Sequence, residues 1–162
     1  MILVFAYVTE GLYLDRNTSQ LDKVFPDGPI VSSETLRAMA WVAARMPPGT
    51  TLANDPLDGS PWIWAVEGVQ PLFASSSAGR PDDGSDRAVI LQRLNKLDTD
   101  PRVQEAVRNL RISYVFVSQG WVVPNKTTAK GLQRLDNVAA LDAVYRAPTV
   151  QIYQVRQLAP LA

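Results

Sequence analysis

The 162-residue chain contains no cysteine and no histidine. Their absence excludes disulfides, zinc fingers, iron–sulfur clusters, His-ligated haem, thiol nucleophiles and any Ser-His-Asp triad. It also has no excess of charge: 16 Lys and Arg balance 16 Asp and Glu. A neutral chain carries no basic footprint for nucleic acid, so no nucleic-acid partner is expected. Long apolar runs are missing too. The longest, Met1–Val8, has eight residues, well short of the ~20 that a membrane-spanning helix needs. The chain carries neither a G-x-G-x-x-G fingerprint nor a Walker lysine motif, so nothing in it marks a nucleotide site. What remains is a hydrophobic fraction of 46% with 20% charged residues, enough to build one core.

The run Met1–Val8 lacks a basic flank and does not read as a signal peptide. It reads either as a docked N-terminal strand or as the last turns of a membrane helix. Phe25-Pro26-Asp27-Gly28-Pro29 then reads as a turn-rich linker. The division expected is an N-terminal segment over 1–31 and an α/β domain over 32–162.

Within that domain the signals alternate. Ser32-Ser33-Glu34 caps a helix whose apolar residues Leu36, Met39, Ala40 and Ala43 recur at helical spacing, and Pro47-Pro48-Gly49 stops it. Thr50–Ala53 is a short buried strand. Ser60-Pro61 opens a second helix through Trp62 and Trp64, and Gln70–Ala74 is a second strand. Helices are predicted from Ser85 and from Asp100-Pro101. Ile112–Val117, nearly continuous in β-branched and aromatic residues, is the strongest strand. A short helix is expected over 127–137, then a hairpin of Leu141–Arg146 and Val150–Val155 around Ala147-Pro148-Thr149.

This order predicts a three-layer α/β fold: a mostly parallel five-stranded sheet, helices on both faces, and a C-terminal β-hairpin. The strand at 51–54 should be central, between 72–74 and 112–117, with the hairpin beyond 112–117. Val115, Val117 and Leu52 or Ala53 should be buried.

In open α/β sheets ligands bind beyond the carboxyl ends of the strands. Asn54, Asp55, Asp58 and Ser60 follow one strand and Trp121 follows another, so these five are the candidate ligand-binding residues. Their amide, carboxylates and hydroxyl can hydrogen-bond sugar hydroxyls while the indole stacks on sugar C–H groups. The same residue types also lead the lists of helix caps and turns. Asn54, Asp55 and Asp58 offer oxygen ligands, but their spacing matches no calcium loop, so no metal and no cofactor is assigned. Of Trp62 and Trp64, two apart on a helix, one should enter the core.

The segments 35–56, Leu110–Val117 and Val150–Val155, in that order, resemble the soluble C-terminal domain of bacterial polytopic membrane proteins with a GT-C glycosyltransferase-like plan. Asp58-Gly59-Ser60 with Trp62 further resembles a family of uncharacterised actinobacterial integral membrane proteins. The resemblance implies a domain on the extracytoplasmic side of the cell membrane, with the transmembrane portion of the same protein as a partner. A cell-envelope glycan or lipid-linked sugar would be its ligand. The acidic motif of those transferases has no match here, so no catalytic residue is assigned. Two other readings stay open: a soluble hydrolase using Asp55 or Asp58, and a purely structural interaction domain.

Overall fold

The computed structural model describes residues 30–75, 80–122 and 125–156. The N-terminal run 1–29, including the apolar residues at its start, lies outside the described residues. Helix α1 (Ser33–Ala43) begins where the Ser32 hydroxyl accepts from the Thr35 N–H at 3.1 Å. Its buried residues Thr35, Ala38, Met39 and Val42 are three and four apart, one stripe of an amphipathic helix. Strand β1 (Thr51–Ala53) leads through a 3₁₀ turn (Ser60–Trp62) into the short helix α2 (Ile63–Glu67). Gly68, at φ 67°, ends α2 in the left-handed conformation that glycine adopts without strain. Helices α3 (Asp86–Arg93) and α4 (Pro101–Asn109) are capped by Ser85 and Asp100. Strand β2 (Ile112–Ser118) and the hairpin β3 (Leu141–Ala147) and β4 (Val150–Val155) complete the fold.

The strands form a four-stranded mixed sheet in the order β1-β2-β4-β3. β1 pairs parallel with β2, while β4 runs antiparallel to both β2 and β3. Three strands thus point one way and β4 returns between them. The carboxyl ends of β1 and β2 and the β3–β4 turn share one edge.

The sheet separates two apolar clusters by simple alternation. Leu52, Tyr114, Phe116 and Ile152 meet α1 and Ile63 on one face. Ala53, Val115 and Tyr153 meet α3 and α4 on the other. The alternation expected of buried strands accounts for Leu52, Ala53 and Val115, each fully buried. Val117 departs from it: it packs against the α3–α4 cluster but is only half-buried, because it also lines a cleft at the end of the strand.

Two expected elements take other forms. The strand predicted at 70–74 shrinks to one parallel bridge between Leu52 and Pro71. Among the described residues the sheet therefore has four strands rather than five, with β1 at its edge. Pro71 has no N–H to extend a ladder. Beyond the bridge the Asn54 side chain takes over the pairing, accepting from the Phe73 N–H at 2.9 Å and donating to its carbonyl at 3.0 Å. The helix predicted over 127–137 is two 3₁₀ turns, Lys130–Leu132 and Leu135–Asn137. Gly131 presses its backbone onto α3, where a Cβ would come within 2.5 Å of the Arg93 nitrogen and the Ile90 carbonyl. Arg134, at φ 58°, then breaks any helical continuation.

Val115 is fully buried between β1 and β4, so Val115→Asp would place a carboxylate without partners in the core. Equilibrium urea denaturation should show a loss of about 3–5 kcal/mol for this variant. A midpoint equal to that of the parent would contradict the interior placement of β2.

Candidate functional site

The loop after β1 is built from buried polar side chains. Asn54, Asp55, Asp58 and Ser60 are all buried, at 0–1% exposure. Such groups persist inside a protein only when hydrogen-bonded, and each of these is. The Asn54 amide holds Phe73 as described and also donates to the Ser60 hydroxyl at 3.0 Å.

Asp55 gathers three separate pieces of chain. One oxygen accepts from the Leu57 N–H at 3.1 Å and from Arg80 Nε at 3.1 Å. The other accepts from an Arg80 terminal nitrogen at 2.6 Å and from the Ala129 N–H at 2.9 Å. Arg80 goes on to the Thr127 carbonyl. With two donors on each oxygen, the carboxylate has no lone pair left for a metal ion or a transferring proton. Among the described residues no group of three or more His, Cys, Asp or Glu side chains is arranged to hold a metal.

Asp58 has a different environment. The Ser60 N–H at 2.8 Å and the Ser60 hydroxyl reach one of its oxygens, and the Ser118 N–H reaches the other at 3.1 Å. Among the described residues no cation pairs with it. Burial therefore dominates and pushes its carboxyl up from the ordinary 3.8 to about 8, against the pull of the Ser60 and Ser118 donors and with a small push from the Asp55 charge. The neutral form fits the geometry. The Ser60 hydroxyl also lies 3.3 Å from the Asp55 carbonyl, so it can accept from a protonated Asp58 and donate onward.

Gly59, between Asp58 and Ser60, has a steric reason to be glycine. A Cβ there would fall 2.2 Å from the Ile30 carbonyl oxygen, and one on Gly120 would fall 1.9 Å from the same atom. The lead-in segment at Ile30 thus crosses both loops at the carboxyl edge of the sheet. Trp121, the fifth sequence candidate, pairs its backbone with Asp58 and is half-buried, and the adjacent Val122 N–H donates to the Leu57 carbonyl at 2.9 Å.

A cavity of about 240 Å³ opens at this edge, lined by Asp58, Pro61, Trp62, Trp64, Ser75 and Val122 among others. Trp62 and Trp64 are 39% and 50% exposed. This corrects the expectation that one of them enters the core: Ile63 between them is the buried residue. Of the sequence candidates, Asp58 lines the cavity, while Asn54, Asp55 and Ser60 stand behind it as its frame. Sequence reasoning missed Arg80 and the role of Ile30. Arg80 had one signal: it is the only cation between Arg45 and Arg87, and so the nearest one in sequence after the acidic loop.

Two outcomes follow. Arg80→Ala would leave the Asp55 carboxylate buried without its counter-charge. It should lose about 2–4 kcal/mol in denaturant melts, toward the low side for a buried pair because the arginine is partly exposed. The Asp58 carboxyl is raised on folding, so its contribution to stability is complete below its unfolded value of 3.8 and is lost as pH rises through about 8. Unfolding free energy measured from acid to mildly alkaline pH should therefore fall across that window, and Asp58→Asn should flatten the slope. An unchanged slope in the variant would place the titration elsewhere.

The fold and site can be set beside known proteins. The crystal structure of the C-terminal globular domain of oligosaccharyltransferase from Archaeoglobus fulgidus superposes with a TM-score of 0.53 at 14% identity, covering 78% of this chain and 99% of that one. At that identity the likeness is one of fold. No curated protein matches the chain in sequence. No helix among the described residues is long and apolar enough to cross a membrane. A family model described as a family of unknown function (DUF6541) matches residues 1–157, and the chain belongs to that family.

Proposed function

We propose that this chain is a non-catalytic module of an integral membrane protein, standing on its extracytoplasmic side and binding or positioning a cell-envelope glycan or lipid-linked sugar. The observation that carries the reading is the tryptophan-flanked cavity at the carboxyl edge of the sheet. Large exposed indoles are costly to leave in water and suit the apolar C–H face of a sugar ring. Asp58, held by Ser60 and Ser118, closes the floor of the cleft beneath the indoles. Asn54, Asp55 and Ser60 shape the cleft from behind, and Trp121 anchors its rim through the backbone pairing with Asp58. The fold likeness to an oligosaccharyltransferase domain supports a glycan context.

In this reading residues 1–31 form the end of a membrane helix and its linker, residues 32–162 the globular domain, and the transmembrane portion of the same protein the partner. The lead-in at Ile30 reaches the domain beside the cleft, which favours a cleft turned toward that partner.

One observation favours a second reading. Asp58 is a carboxyl held protonated to about pH 8 in the wall of a cavity, the property of a general acid. A hydrolase would then use Asp58, whereas Asp55 is fully engaged.

Titration of the chain with cell-wall glycan fragments, followed by tryptophan fluorescence and amide NMR, separates these readings. Shifts confined to 54–66 and 118–122 are expected, with a dissociation constant of about 1 mM, or roughly 4 kcal/mol of binding free energy. Trp62→Ala with Trp64→Ala should abolish them at unchanged melting temperature. Absence of any shift at high glycan concentration would favour a structural module. Turnover lost in Asp58→Asn would establish the hydrolase.

A further inference from the structure

A second cleft lies at the same edge of the sheet, on the other side of the segment leaving β2. That segment contributes Val122 to the tryptophan cleft and Gln119 to this one. The second cleft has a volume of about 230 Å³, and its polar lining includes Gln119, Thr128, Gln133, Arg134 and Gln151. No carboxylate is among its described lining residues. Two stand behind its wall and are already engaged. Glu34 accepts from the Thr149 N–H at 3.0 Å and from the Thr149 hydroxyl, and Asp136 accepts from Arg146 and from the Tyr153 hydroxyl at 3.0 Å. The walls therefore offer amides, a hydroxyl and one guanidinium.

Arg134 is the unusual member. Its backbone sits at φ 58° and ψ 36°, the left-handed region that glycine occupies freely and other residues occupy at a cost. Two other non-glycine described residues share a positive φ, and both have ordinary reasons. Asn125 is a type that tolerates this conformation. Arg111 follows the end of α4, where its N–H donates to the Arg108 carbonyl at 3.0 Å in a common helix-ending turn. Arg134 ends no such helix, since Gln133 before it is extended. Among the described residues nothing pairs with its guanidinium. Arg134 is exposed at the cleft, held at a positive φ where glycine would be easier, and its charge meets no carboxylate among the described lining residues, which leaves the guanidinium available to an anion.

We propose that this cleft is a binding site for a small oxyanion-bearing group, a phosphate or a carboxylate, with the Arg134 guanidinium as its anchor. The guanidinium fork suits an oxyanion bidentately. Gln119, whose side-chain amide makes no hydrogen bond to a described residue, and the Thr128 hydroxyl supply neutral donors beside it. The proposal does not depend on the glycan reading of the first cleft.

The test titrates the chain with inorganic phosphate, with glucuronate and with glucose, following amide NMR shifts against a chloride control of equal ionic strength. Phosphate or glucuronate should give saturable shifts at Gln119, Gln133 and Arg134, and which of the two binds tighter identifies the source of the oxyanion. Glucose and chloride should not. Arg134→Gly should weaken binding by about tenfold or more while raising the melting temperature, because it removes one charge-assisted anchor and relieves the backbone together. Arg134→Gln should weaken binding equally without that rise. Absence of saturable shifts, equal shifts with glucose or chloride, or binding retained in both variants would overturn the proposal.

Discussion

The carboxyl edge of this domain depends on one buried carboxylate. Asp55 accepts four hydrogen bonds from the loop after β1, from Arg80 and from the segment that leads into the 3₁₀ turns. Taking a carboxylate out of water costs several kcal/mol, and the cost is met only when every lone pair is used. That requirement is what holds three otherwise irregular segments in register. The Arg80 bond to Thr127 extends the same clamp, so a single ion pair spans the loops on both sides.

Asp58 solves the opposite problem with the opposite chemistry. It is as deeply buried as Asp55, yet no cation among the described residues reaches it, so the lower-cost state is the neutral acid. A neutral carboxyl can donate as well as accept, and Ser60 is placed to complete either sense of the bond. Two aspartates three residues apart thus divide the work. The charged one organises the loops, and the uncharged one joins β1's loop to the end of β2 and faces the cavity. Between Asp58 and Ser60, Gly59 admits the Ile30 backbone, which couples the lead-in of the domain to the floor of the cleft.

The elements with a strong local signal were readable in the chain. The Ser32, Ser85 and Asp100 caps, the helices they start, β2 and the hairpin all appear where periodicity and capping put them. The elements that changed form did so through contacts distant in sequence. Pro71 and Asn54 replaced a fifth strand by one bridge and a side-chain clamp, and the approach of Gly131 to α3 turned a predicted helix into two short turns. Trp62 and Trp64 went the same way. Their two-residue spacing implied opposite faces of one helix, but Trp62 ends the 3₁₀ turn while Trp64 lies in α2, and Ile63 between them is the residue that reaches the core.

Sequence alone determined the layers and the polarity of the loops, because capping, alternation and turn chemistry are properties of a few adjacent residues. It also singled out Asn54, Asp55, Asp58, Ser60 and Trp121, because polar residues after a buried strand collect at one edge of an α/β sheet. Only the tertiary structure decided which of them face inward. The chain lists Asp55 and Asp58 as equals, and their difference rests on Arg80, 25 residues further on, reaching one and not the other. Charge state, burial and exposure of these side chains are set by neighbours brought together through folding, and no local pattern encodes that distance.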